Sequence, residues 1–177
     1  MKLRRLIAAA LLTISLATTG ICFAFDQSDM NIGGIYLGQP MADVIAMYGQ
    51  PIAKEPLPPK GINFIFVKNG GKFKVGDSDT VDSVTVWADS AAAGLATKAG
   101  IKLGSTVDDI FNAYGTPSSD FTFPEPNAFV GSREISYSKL IVVDTQYNFK
   151  DELRLSFGLD ANNKVIRMTY SKGRYIP

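Results

Sequence analysis

Gly34-Ile35-Tyr36-Leu37-Gly38-Gln39-Pro40-Met41-Ala42-Asp43-Val44-Ile45-Ala46-Met47-Tyr48-Gly49-Gln50-Pro51 is answered 66 residues later, without a gap, by Gly100-Ile101-Lys102-Leu103-Gly104-Ser105-Thr106-Val107-Asp108-Asp109-Ile110-Phe111-Asn112-Ala113-Tyr114-Gly115-Thr116-Pro117. Eight of these 18 aligned positions are identical, where about one would match by chance at ordinary composition. The match reads as a duplication, and a duplication decides the organisation of the chain before any single element is considered.

Each copy predicts a short helix. Met41, Val44, Ile45 and Tyr48 fall at i, i+3, i+4 and i+7, as do Val107, Ile110, Phe111 and Tyr114. That spacing gathers four apolar side chains on one helical face, as core positions do. In the second copy Ser105 is the expected cap, followed by Asp108 and Asp109 in the first turn, where the positive helix end favours acid. The first copy starts on Gln39, a poor cap, with Pro40 suited to the first helical position because its missing N–H would have no partner there. Gly49 and Gly115 can take a left-handed conformation that ends the helix, and Pro51 and Pro117 keep it from resuming.

Strand-like segments follow each helix. After the first come 62–68, 72–75 and 83–87, separated by the turn signals Asn69-Gly70-Gly71 and Gly76-Asp77-Ser78-Asp79. After the second come 134–138, 140–148, 152–158 and 165–171. The connections are too short for parallel crossovers, so each half reads as an antiparallel meander. Leu153, Leu155 and Phe157 alternate with Glu152, Arg154 and Ser156, giving one buried and one wet face, with room for a helix on the buried side. The Ala-rich 88–99 stretch, interrupted by Gly94, can hold a short helix between the halves. The expected fold is therefore α+β: two tandem repeats, each a short helix followed by an antiparallel β-meander, over 25–89 and 100–177 with a linker at 90–99.

Lys2, Arg4 and Arg5 precede an apolar run from Leu6 that weakens toward Ala24, and the first acid is Asp26. A basic head, an apolar run and a small residue at its end describe a secretory signal peptide over residues 1–24, cleaved near Ala24. The competing reading is an uncleaved anchor, since about 18 to 19 mostly apolar residues reach the lower limit of a bilayer span. A lipid-modified Cys22 fits less well, because Ile21 stands where Gly, Ala or Ser usually precedes such a cysteine. The expected location is extracytoplasmic, periplasmic or secreted.

The whole chain of 177 residues carries 18 basic and 17 acidic side chains. Losing three basic residues with the leader leaves 15 against 17, a net −2. No basic field remains to hold nucleic acid or an anionic membrane, so contact with a membrane is expected only through the leader. There is no histidine, and the single cysteine lies in the leader. The mature chain thus lacks the commonest general bases, nucleophile activators and transition-metal ligands, and it cannot be a disulfide scaffold. About 150 residues bury enough surface to fold without such staples.

The Gly-Ile-x-Leu-Gly element, brief helix, Tyr-Gly-x-Pro and meander, occurring twice behind a leader, resembles the tandem helix-plus-sheet architecture of the β-lactamase inhibitor protein family. The single unit is similar to the SmpA/OmlA outer-membrane assembly lipoproteins. The likeness covers 34–89 and 100–170 and is specific only in the two 18-residue blocks. It implies binding of other proteins rather than catalysis. The chain departs from both groups in lacking a lipobox and disulfides, so no particular partner carries over.

Ser136-Tyr137-Ser138-Lys139 matches a Ser-x-x-Lys pattern, but it runs into the β-rich 140–143, and on a strand the serine and lysine lie about 10 Å apart on opposite faces. Asp77, Asp79 and Asp82 crowd a turn, yet the sixth and twelfth positions of a calcium loop from Asp77 hold Asp82 and Ala88 instead of Gly and Glu. No catalytic residue, metal ligand or cofactor is expected. A two-carboxylate hydrolase stays open only because acidic pairs leave no signature. Phe121-Thr122-Phe123-Pro124-Glu125-Pro126-Asn127-Ala128-Phe129 has no helical or strand period, and its prolines would stiffen a loop presenting Phe121, Phe123 and Phe129 to a partner. The other reading folds these rings back as a lid over the sheet.

The function expected is that of a secreted or periplasmic, non-enzymatic protein-binding module, with inhibition one way to act. A structural or assembly component of the bacterial cell envelope is the alternative. The partner would be another extracytoplasmic protein or an envelope component.

Overall fold

The computed structural model describes residues 25–56, 60–127, 131–144 and 149–175. A small hairpin, β1 (Asn31–Ile32) and β2 (Ile35–Tyr36), leads into α1 (Met41–Tyr48). Then follow β3 (Ala53–Pro56), β4 (Ile62–Lys68), β5 (Gly71–Asp77) and β6 (Val81–Trp87). A 3₁₀ helix over Ala88–Ala93 ends at Gly94 in the left-handed conformation. The chain continues through α2 (Val107–Tyr114) into β7 (Ser119–Asn127), β8 (Gly131–Asp144), β9 (Phe149–Leu159) and β10 (Val165–Tyr175). Strands β3 to β10 form one antiparallel sheet in the order β3-β4-β5-β6-β10-β9-β8-β7. The two strands that end the meanders, β6 and β10, pair at its centre, with Thr85 opposite Thr169.

Both helices form where the apolar spacing predicts them, but their starts differ from expectation. Thr106, not Ser105, caps α2: its hydroxyl accepts from the Asp109 N–H while the Asp109 carboxylate accepts from the Thr106 N–H. That reciprocal pair satisfies two orphan donors, while the Ser105 hydroxyl accepts from the Lys102 N–H at 3.2 Å in the preceding turn. Pro40 is the N-cap of α1 rather than its first helical residue, and α1 has no side-chain cap. Both helices stop on glycine, Gly49 at φ 81° and Gly115 at φ 73°.

The strands also differ from the sequence reading. The stretches read as two strands, 134–138 and 140–148, form one long strand, β8, as far as Asp144, and 145–148 lie outside the described residues. Strand β7 runs through the stretch around Phe121 read as a loop, and β3 through one for which no strand is expected. They are the two edges of the sheet, where proline is tolerated: Pro56 ends β3, and Pro124 and Pro126 lie between Thr122 and Asn127, where β7 has no partner residues on β8.

One apolar core joins the helices, the β1–β2 hairpin and one face of the sheet. Phe66, Phe73, Val84, Val86, Met168, Tyr170, Leu155 and Phe157 point into it from the strands, and Ile35, Val44 and Ile110 cover them. Each such side chain contributes roughly 1.5 to 3 kcal/mol by leaving water. Two aromatic clusters lie under the two helices. Tyr48, Phe66 and Phe73 meet at centroid distances of 5.0 to 6.5 Å, and Tyr114, Tyr137 and Phe157 at 5.3 to 6.5 Å. Buried hydroxyls tie the layers together. Tyr170 donates to the Ile35 carbonyl at 3.1 Å, Tyr137 to the Gly115 carbonyl at 2.9 Å, and Tyr48 to the Gly33 carbonyl.

Candidate functional site: the open face of the sheet

Alternation along the strands sends every second side chain away from the core. Register then arranges those side chains into rows that run across the sheet. One row is Ile65, Lys74, Thr85, Thr169, Ser156, Ser136 and Ser119, each directly opposite the next. A second runs through Ser83, Ser171, Arg154 and Ser138. Short hydroxyl side chains thus occupy the middle of this face, with Thr169 donating to Thr85 at 3.3 Å across the central strand pair.

A third row is Trp87, Arg167, Gly158, Glu134 and Phe121. Arg167 reaches Glu134 at 2.7 Å across the intervening strand β9. Gly158 lies between them in register, and its lack of a side chain leaves room for that crossing. The face's other ion pairs, Lys74–Glu55 at 2.7 Å and Arg154–Glu152 at 3.2 Å, also join residues of the sheet. The apolar core lies on the other side, although Ser136 and Ser156 in the first row are themselves buried, each 5% exposed.

The structure places two of the three expected site residues here. Phe121 is 54% exposed and stands opposite Glu134, and Phe123, half-buried, meets it edge to face with centroids 4.9 Å apart. They sit on edge strand β7 and not in a loop. Pairing of residues 119–122 with β8 sets their direction before the register shifts toward Asn127. Phe129 lies outside the described residues, as do Cys22 and the leader. Sequence reasoning missed Trp87, Arg167, Thr85 and Thr169. The signal was the same alternation used for β9: Ser83, Thr85 and Trp87 interleave with Val84 and Val86, and Arg167, Thr169 and Ser171 with Met168 and Tyr170.

A cleft of about 820 Å³ lies on the helix-covered side, at the end of the sheet nearest the β5–β6 turn. Leu37, Val81 and Leu153 form apolar walls. Its charged groups are engaged with their neighbours. Lys172 pairs with the buried Asp151 at 2.9 Å, Lys60 with Asp79 at 2.7 Å, and the Asp82 carboxylate accepts from the Ser78 and Ser83 hydroxyls at 2.5 and 3.0 Å. On β8, Ser136 lies on the open face and Lys139 on the helix-covered one, as strand spacing requires. Among the described residues no cluster of His, Cys, Asp or Glu has the arrangement of a metal site, and no helix is long and apolar enough to cross a membrane.

No protein-family model and no curated protein matches the chain. Solved structures do. A cysteine-rich secretory protein from Staphylococcus aureus superposes with a TM-score of 0.51 at 14% identity, over 82% of this chain and 48% of that one. An extracellular protein containing an SCP domain from Bacillus anthracis gives 0.49 at 10% identity, over 80% and 49%. A DUF4309 family protein from Bacillus subtilis gives 0.43 at 13%, over 79% and 83%. The chain therefore spans about half the length of the first two, and at these identities the likeness is one of fold.

Proposed function

We propose that this chain is an exported, non-enzymatic protein-binding module, built from two tandem helix-meander units and contacting its partner through the open face of the eight-stranded sheet. The observation that carries the reading is the composition of that face. The partly exposed hydroxyls of Ser83, Thr85, Thr169 and Ser171 offer hydrogen bonds at little entropic cost, and the rim carries Trp87, Arg167 and Phe121, residue types that dominate the energetics of protein interfaces. Export follows from the leader ending near Ala24, and it agrees with a fold shared with a protein described as secretory. The partner is another extracytoplasmic protein or an envelope component.

The test uses the mature chain, residues 25–177, as bait for an extracytoplasmic fraction, beside Thr169→Arg and Phe121→Ala variants. Thr169→Arg puts a long charged side chain at the centre of the face. Loss of a stoichiometric partner with an unchanged melting temperature supports the reading, and undiminished capture by Thr169→Arg sinks it. A partner found in the membrane pellet rather than the soluble fraction would assign the module to envelope assembly.

A further inference from the structure

The cleft beside the β5–β6 turn arises because the two halves differ in strand length. Strands β5 and β6 are 7 residues long, whereas β9 and β10 are 11. Ser83 opposite Ser171 is the last pair between β6 and β10, and β10 runs on to Tyr175. The notch left beyond β6 is unfilled. A Cβ added at Gly173, which lines it, would meet nothing within 4 Å. At about 820 Å³ the cleft is the size of a small-molecule site, and Ile141 joins Leu37, Val81 and Leu153 in its apolar wall.

Its charges do not balance. Lys60 and Lys172 each hold an aspartate of their own, Asp79 and Asp151. Asp82 is the third acid of the lining, and no cation pairs with it among the described residues. This carboxylate is partly buried, with the Ser83 hydroxyl on Oδ1 and the Ser78 hydroxyl on Oδ2. Gly76 leaves it room, since a Cβ there would stand 2.8 Å from Oδ1. A carboxylate drawn out of water and given no cation lowers stability.

The duplication supplies an internal control at this position. The Gly38 N–H donates to the Val81 carbonyl at 2.7 Å and the Val81 N–H to the Gln39 carbonyl at 2.9 Å. Gly104 and Ser105, 66 residues beyond Gly38 and Gln39, hold Val165 in the same way at 2.8 and 2.9 Å. In both halves the ladder then skips one residue: pairing passes from Val81 to Ser83 opposite Asp77 and Gly76, and from Val165 to Arg167 opposite Leu159 and Gly158. The skipped residue is Asp82 in the first half and Ile166 in the second. The same bulge therefore forms on an apolar side chain, and the fold does not demand an acid there.

We infer that this cleft is a binding site for a primary alkylammonium group, with the ammonium on Asp82 and the alkyl body along Leu37, Val81 and Leu153. The ammonium supplies the charge that the lining lacks. With a hydroxyl already on each carboxylate oxygen, a compact point charge fits better than a planar guanidinium fork, which needs both oxygens at once. Ser78 and Ser83 orient the carboxylate in advance, so little order is lost on binding. A free amine and a lysine side chain of a partner present the same chemistry. The site is independent of the open face, so failure of either reading leaves the other standing.

The probe is hexylammonium chloride, titrated into the mature chain, residues 25–177, carrying ¹³C-methyl leucine and valine. The expected result is a saturable shift of the Leu37, Val81 and Leu153 methyl signals. Hexanol and sodium hexanoate should bind at least tenfold more weakly. Asp82→Asn, which keeps the shape and removes the charge, should weaken hexylammonium at least tenfold at an unchanged melting temperature. Asp82→Ile, which copies the second half, should abolish binding and melt no lower than the native chain. Nα-acetyl-lysine methylamide separates the two sources: tighter binding than hexylammonium assigns the cleft to a partner's lysine, and weaker binding to a free amine. Three results would overturn the inference: no saturable shift at these methyls, hexanol binding as tightly as hexylammonium, or undiminished binding by Asp82→Asn. If both variants unfold, hexylammonium, hexanol and hexanoate on the native chain decide alone.

Discussion

Helices α1 and α2 are the same length, end on the same Tyr-Gly pair and pack on the same side of one sheet, yet they are held differently. The second has a full capping box and buries Ile110 and Tyr114. The first has no side-chain cap, buries only Val44 completely, and leaves Met47 half in water. Its tyrosine is only half-buried where Tyr114 is 3% exposed. A shared backbone path thus tolerates two different surfaces. Positions where the fold is kept and the surface diverges carry whatever distinguishes the two regions in use, whereas shared positions report on packing.

That comparison can be attacked first at its base. Phe66→Ala and Phe157→Ala each remove the centre of one aromatic cluster and should each cost about 3 to 5 kcal/mol. Because β6 and β10 join both regions into one sheet, either variant should still melt in a single calorimetric transition. Two separated transitions would show that the regions are energetically independent.

The tyrosines give the next largest effect. Burial pushes the Tyr114 hydroxyl up to about 12 and raises Tyr48 as well. A folded value above the unfolded one means the stabilisation is complete below pH 10 and is lost as pH rises toward 12. For Tyr114 that loss is roughly 2 to 3 kcal/mol, and Tyr137 and Tyr170, also raised by burial, add to the same slope. Denaturant midpoints between pH 9 and 12 should therefore flatten more in Tyr114→Phe than in Tyr48→Phe. The reverse order would invert the burial difference between the helices.

Smaller effects come from the helix ends. Gly49 and Gly115 combine positive φ with ψ of −172° and −145°, a region open to glycine and little else. Gly49→Val and Gly115→Val should each lower stability by about 1 to 2 kcal/mol, and an unchanged melting temperature would mean that glycine is not needed to stop that helix. Thr106→Ala should cost about 1 kcal/mol by opening the capping box. Pro40→Ala should show no comparable cap loss, since α1 has no side-chain cap to lose.

The helices were legible because four apolar residues at i, i+3, i+4 and i+7 admit one reading, and the glycines and prolines after them fix the stops. The exact cap was less so: Ser105 and Thr106 are both competent and each has an aspartate three residues on, Asp108 and Asp109, so local spacing does not choose between them. Strands β3 and β7 were hidden by their own prolines, which argue against a central strand but not against an edge. For the same reason Phe121 and Phe123 read as loop residues, and their face became visible only through pairing with β8. The open surface combines side chains from strands far apart in the chain, so its rows exist only after register is known. Nothing local to Trp87 or Arg167 announces that they are neighbours.

The prolines at the two rims of the sheet also bear on how this molecule behaves in a crowd. An antiparallel sheet with an unguarded border can recruit another copy, strand by strand, into a filament. Here Pro56 closes β3, and Pro124 and Pro126 interrupt β7. Each border therefore lacks part of the ladder that an incoming chain would need. Accumulation to high local concentration should thus leave discrete particles rather than fibrils, and a proline-free rim is the change that would remove this safeguard.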